Sequence, residues 1–205
     1  MKIQSFQNDN IGFDKIEKCL EIFETALDGC NSRSHYLISY EFILSFAKEV
    51  KFFDERTFTQ LTSMIYSWMP RVLRIDYGEV KETIEILNKV KIRRIKILRE
   101  EQFHRIKSVV NNSMVGTSKL LHFIDPDKYP IWDSKVASHF LGGKSPYQIG
   151  KVNNYIHYVK ICKNAIRNPM FEKSYKKVKN VLENAELFHD ISKMRAIELM
   201  LFYSS

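Results

Sequence analysis

Apolar positions recur along most of this chain at the three- and four-residue steps of an α-helix. Ile16, Leu20, Ile22, Phe23 and Leu27 predict a helix from about Asp14 to Asp28, with Asp14 as its N-cap. A second helix, capped by Asn31 or Ser34, would hold Tyr36, Leu37, Tyr40, Ile43, Leu44 and Ala47 on its pattern. A third runs from Asp54 through Phe58, Leu61, Ile65 and Trp68, until Pro70 ends or kinks it. The stretch from Glu79 to about Val110 is helical in pattern throughout, as one helix or as two broken near Lys89–Lys91. Further helices are predicted over about Tyr147–Arg167, from Asn168-Pro169 to Lys179, and over about Asp190–Phe202. Between the helical stretches, Leu141-Gly142-Gly143-Lys144-Ser145-Pro146 is the clearest loop. No period-two hairpin, internal repeat or low-complexity tract interrupts this pattern, so the expected class is all-α.

Composition supports that class. Only 7 glycines and 5 prolines occur in 205 residues, too few for a sandwich or barrel that turns every ten residues or so. With 44% hydrophobic residues the chain can bury a sizeable core and is not expected to be disordered. The expected organisation is one helical domain over residues 1–205, with possible lobes at about 1–110 and 111–205.

Charge adds a partner class. Lys and Arg number 32 against 24 acidic residues, a net charge of +8. Such a balance suits a polyanion, because each neutralised phosphate releases counterions. Two regions concentrate it. One holds Lys89, Lys91, Arg93, Arg94, Lys96, Arg99, Arg105 and Lys107 against Glu100 and Glu101. The other holds Lys160, Lys163, Arg167, Lys173, Lys176, Lys177 and Lys179 against Glu172. A charge run on a helix is also what any solvated face looks like.

Cys19, Cys30 and Cys162 form no CxxC pair, and no Cys/His cluster has zinc spacing. Free thiols, a reducing compartment and no metal or other cofactor are therefore expected. Without an apolar leader or a run of 18 apolar residues, a cytoplasmic protein away from membranes is expected, and a monomer is the default.

The candidate chemistry lies in Val115-Gly116-Thr117-Ser118-Lys119-Leu120-Leu121-His122-Phe123 and, after a Pro-containing link, Tyr129-Pro130-Ile131-Trp132-Asp133-Ser134. A lysine flanked by Leu120, Leu121 and Phe123 can be desolvated, which lowers its pKa and frees the amine as a nucleophile. Asp133 has two readings. It can be a plain helix cap, or a carboxylate held ionised by free N–H groups and able to balance developing positive charge.

This segment, about Asn112 to Val136, resembles the core of the helix-hairpin-helix DNA glycosylase superfamily, nearest to the 8-oxoguanine DNA glycosylase-like proteins of prokaryotes. Arg195-Ala196-Ile197-Glu198 is also similar to the group, with no role attached. The resemblance implies two packed helical lobes with an active site between them. It implies a partner, double-stranded DNA with a modified base, which is flipped out of the stack before excision. It makes Lys119 the nucleophile that forms a Schiff base and Asp133 the carboxylate that stabilises the sugar cation. Backbone around Met114, Val115, Gly116, Thr117 and Ser118, with Lys135, would hold the DNA, while Trp132, Trp68, Phe123 and Tyr129 are candidates to stack on the base. His122 is read as structural. Strict hairpin spacing aligns Ser118 rather than Lys119 with the nucleophile, and members with a small hydroxyl residue there are monofunctional and use water. Both assignments stay open, as do base repair and phage defence. The alternative function is a non-catalytic helical nucleic-acid-binding module.

Overall fold

A computed structural model describes residues 9–28, 35–69, 71–143, 145–184, 187 and 190–205. Asn31, Ser34, Cys30, Pro70 and Lys144, to which the sequence pattern assigned caps, a thiol, a helix stop and a loop position, lie outside the described residues. The helices are α1 (Asp9–Asp28), α2 (His35–Glu49), α3 (Glu55–Trp68), α4 (Val80–Lys91) and α5 (Glu100–Val109). They continue with α6 (Met114–Ile124), α7 (Ser134–Leu141), α8 (Pro146–Ile149), α9 (Val152–Arg167), α10 (Phe171–Asn184) and α11 (Lys193–Tyr203). The described residues contain no β-strand, only an isolated antiparallel bridge between Ile75 and Val110. The protein is all-α.

Local chemistry explains most of the helix ends. Asp54 caps α3, accepting from the Thr57 amide at 2.8 Å while Thr57 Oγ1 receives the Asp54 amide at 3.0 Å. Asp133 caps α7, as its position before an apolar pattern predicted. Gly142 then ends α7 in the left-handed region at φ 66°, a conformation glycine adopts without strain. Other ends differ from the pattern. Asp14 lies inside α1, whose first turn starts at Asp9. The Glu79–Val110 stretch divides into two helices, separated by residues 92–99 with Arg93 at φ 57°. The predicted Tyr147–Arg167 helix is interrupted at Gly150-Lys151.

Two helices act as packing hubs. α6 lies against α2, α3, α4 and α5, and α11 lies against α1, α7, α9 and α10. Contact between α5 and α9 joins the two groups. Every residue of α6 except Val115 is buried, and so is α11 from Met194 to Leu201. A helix buried on all sides normally carries only apolar residues. These two also bury Thr117, Ser118, Lys119, His122, Arg195 and Glu198.

Candidate active site

The turn between α5 and α6 is built from residues 110–113. Asn111 and Asn112 adopt left-handed conformations at φ 56° and 48°, which asparagine tolerates better than most residues. Asn111 is clamped to the segment beyond α3. Its Oδ1 accepts from the Arg74 amide at 2.7 Å, its Nδ2 donates to the Val72 carbonyl at 3.0 Å, and its amide donates to the Arg74 carbonyl at 3.1 Å. Ser113 then caps α6, its Oγ accepting from the Gly116 amide at 3.1 Å.

By the resemblance, Met114-Val115-Gly116 would stand where the hairpin of such a core lies. Met114, Val115 and Gly116 form the first turn of α6 rather than the turn before it. The side chains of Met114, Thr117 and Ser118 are buried, and Gly116 is buried too, so none of these side chains offers a surface to DNA. Gly116 is needed for a different reason. A Cβ there would meet the hydroxyl and ring of Tyr66, so its absence leaves room for that side chain between α3 and α6. The Gly116 amide is already taken by Ser113. The amides of Met114 and Val115 precede the first intrahelical bond, as the opening amides of any helix do.

Ser118 and Lys119 are neighbours in sequence with different surroundings. The Ser118 hydroxyl gives its proton to the Val115 carbonyl at 2.9 Å and accepts the Trp132 amide at 3.0 Å. It therefore ties α6 to the segment that leads into Asp133. Lys119 points into a cleft whose walls also include Tyr36, Leu37, Trp68, Ile131, Asp133, Arg195, Glu198, Leu199, Phe202 and Tyr203. The cleft is tight, with a cavity volume of about 30 Å³, and it opens to solvent. Lys119 and Asp133 thus face one cleft, and Ser118 does not line it.

The lysine is 7% exposed, with its Nζ 4.5 Å from the centre of the Trp68 ring. Burial pushes its pKa down to about 8. The carboxylates of Asp133 and Glu198 oppose the shift, and the charges of Arg195 and Arg71 add to it. Asp133 is half-buried, its Oδ1 accepting the Val136 amide at 2.9 Å. A helix start offers partial positive charge to this carboxylate.

Arg195 and Glu198, to which the sequence pattern gave no role, complete the cleft. They sit one turn apart on α11, 2% and 3% exposed, and form an ion pair through Arg195 Nη1 and Glu198 Oε2. The Arg195 guanidinium also covers the Tyr40 ring at 4.2 Å. Burial raises the Glu198 carboxyl to about 7; Arg195 opposes that shift, Asp133 adds to it, and Lys119 opposes it. The signal was present in the chain. Two opposite charges three residues apart interrupt Met194, Ala196, Ile197, Leu199, Met200 and Leu201, an otherwise apolar face.

The candidate stacking residues separate. Trp68 lines the cleft, with its Nε1 bonded to the Tyr36 carbonyl at 3.1 Å. The other three do not reach it. Trp132 is fully buried, donating to the Ile149 carbonyl at 3.1 Å and packing on Tyr158 with ring centres 5.0 Å apart. Phe123 packs on Tyr40 and Trp68 from behind, at 5.2 Å and 5.6 Å. Tyr129 is buried against Phe103. Lys135 is half-buried beside the cleft, its Nζ 4.4 Å from the ring of the lining residue Phe202.

His122 is structural, as expected. Its Nδ1 lies 2.7 Å from the Tyr129 carbonyl, which can only accept, so Nδ1 carries the proton. Its Nε2 then accepts from the Tyr40 hydroxyl at 2.9 Å. Burial, with the Arg195 charge nearby, pushes its pKa down to about 3, so the ring is neutral. The described residues contain no cluster of three His, Cys, Asp or Glu side chains suited to a metal. No helix among them is long and apolar enough to cross a membrane. Cys19 and Cys162 are buried free thiols.

No protein-family model, curated protein or solved structure matches the chain. Any functional statement therefore rests on the cleft itself.

Proposed function

We propose that this chain is a DNA glycosylase with AP-lyase activity, acting on an oxidised or otherwise modified base in duplex DNA. The observation that carries this reading is the pairing of a desolvated Lys119 amine with the Asp133 carboxylate in one aromatic-walled cleft. A lysine with a pKa near 8 is neutral often enough at physiological pH to attack an electrophilic carbon. In this reading α5, the asparagine turn and α6 form the helix-hairpin-helix unit, and the cleft between the α6 and α11 groups receives the flipped nucleotide.

Lys119 attacks the anomeric carbon as the bond from sugar to base breaks. Asp133 lies where its charge offsets the positive charge that grows on the sugar. The resulting aminal opens to a Schiff base, from which the strand is cut next to the lost base. Trp68, with Tyr36 and Phe202, provides the flat apolar surfaces that a base needs outside the stack. The turn at residues 110–113, the basic helices and Lys135 supply phosphate contacts.

The test is borohydride trapping on duplexes that each carry one oxidised, alkylated or deaminated base. A covalent adduct with one member of the panel is expected. No adduct and no alkali-labile site on any duplex would discard the enzyme. Salt-dependent duplex binding without chemistry would then favour a nucleic-acid-binding module, for which the exposed lysines of α9 and α10 speak.

A further inference from the structure

The Arg195–Glu198 pair is more than a buried strut. A buried ion pair gains little stability over apolar residues of similar size, because its attraction mainly repays desolvation. This pair also borders the cleft that holds Lys119, rather than lying behind it. Facing Glu198 are Arg195 on its own helix, Lys119 from α6, Asp133 at the start of α7, Tyr40 from α2 and Tyr158 from α9. Two carboxylates therefore face one amine in the cleft. Asp133 spends one oxygen on its helix cap, whereas Glu198 is held by a guanidinium that leaves it able to ionise.

We infer that Glu198 carries a proton from the Lys119 ammonium to the departing base. The inference rests on the glycosylase reading and divides the work between the two carboxylates. Lys119 first passes one N–H proton to the Glu198 carboxylate, leaving a neutral amine and a carboxylic acid. The nitrogen lone pair then forms the bond to the anomeric carbon, and the bond from sugar to base breaks with its electron pair on the base. Glu198 gives its proton to that base. Lys119 is left bonded to the sugar as a protonated secondary amine, Glu198 is again a carboxylate, and the free base is neutral. Asp133 stays ionised throughout, beside the sugar.

The placement of Lys119, Asp133 and Glu198 around one cleft fits this exchange. Burial lowers the Lys119 amine and raises the Glu198 carboxyl, which brings the two toward each other and favours passing a proton between them.

Two measurements test it. In full-length protein carrying carbon-13 lysine, the Cε resonance of Lys119, assigned with Lys119→Arg, is followed against pH. The wild type is expected to show two inflections, near 7 and near 8, from coupled groups. Glu198→Gln removes the lower one and moves the remaining one down, because a carboxylate that favoured the ammonium is gone. An unchanged curve overturns the inference. The second measurement is the single-turnover rate of adduct formation with the lesion that the wild type traps. Glu198→Gln is expected to slow it about 100-fold and to flatten its pH profile, with duplex affinity unchanged. A wild-type rate and profile in the variant overturn the inference. Should Glu198→Gln fold poorly, Arg195→Gln with Glu198→Gln removes both charges and is expected to lose the lower inflection and slow adduct formation alike, with a smaller move of the remaining inflection because the Arg195 charge that lowered it is gone too. A coupled Lys119 curve in a protein that traps no lesion overturns the glycosylase reading, and the proton transfer to a base falls with it.

Discussion

Ser118 and Lys119 share a helix, a peptide bond and near-complete burial, and they differ in what meets them. The hydroxyl finds a carbonyl and an amide at hydrogen-bond distance. The ammonium finds the face of Trp68 and a cleft. His122, one turn further on, belongs with Ser118, since both its ring nitrogens have partners. A buried polar group with all its bonds made stabilises the fold. One left with an open side and a shifted pKa is stabilised less and is available for chemistry.

The largest effect expected is at the lysine. Lys119→Gln should abolish borohydride trapping on every lesion while leaving the melting temperature equal or higher, because a desolvated cation is removed. Retained trapping would move the nucleophile elsewhere and break the contrast. Asp133→Asn comes next, with base excision about 100-fold slower. Asparagine caps a helix as well as aspartate does, so thermal unfolding should hardly move. Unchanged excision would reduce Asp133 to a helix cap.

Ser118→Ala sharpens the other half. The Trp132 amide loses its acceptor, which costs about 1–3 kcal/mol in urea unfolding, and trapping should survive at temperatures where the variant stays folded. Loss of trapping at full stability would return the nucleophile position to Ser118.

The smallest effect is a slope. His122, lowered from 6.5 to about 3, contributes stability that is present above 6.5 and lost as pH falls toward 3. Glu198, raised from 4.5 to about 7, contributes stability that is present below 4.5 and lost as pH rises through 7. Between 4.5 and 6.5 the two oppose each other, so together they leave the wild type nearly flat there. Glu198→Gln should expose a stability that climbs with pH by up to about 1.4 kcal/mol per unit. Urea midpoints across that window measure it; a flat variant would mean that His122 is not buried as a neutral ring.

Much of this was legible in the chain, for identifiable reasons. Asp133 announced its cap because an N-cap is a local matter of an acceptor ahead of an apolar pattern. Lys119 stood out as a charge among Leu120, Leu121 and Phe123. The choice between Ser118 and Lys119 was not legible. α6 is buried nearly all round, and a helix without a solvent face has no polar stripe to show which way each side chain points. Trp132 and Trp68 were equal candidates for the same reason, since aromatic residues at core spacing read alike until the packing orients them. Arg195 and Glu198 needed the third dimension most, because α11 lies more than 60 residues from the lysine and carboxylate it meets. The place of Gly116 was not legible either: it lies in the first turn of α6 and leaves room for Tyr66, a contact that only the packing of α6 on α3 reveals.

That last contact has a mechanical consequence. With no side chain at 116, the Tyr66 ring bears directly on the backbone of α6, as a wedge bears on a beam. Trp68 is on the same helix as the wedge, and Lys119 is on the same beam. The Trp68 ring and the Lys119 amine are held on two helices that meet, with α2 tied to them through the Tyr36 carbonyl, so Phe202 and Tyr203 on α11 form the wall of the cleft that belongs to the other group of helices.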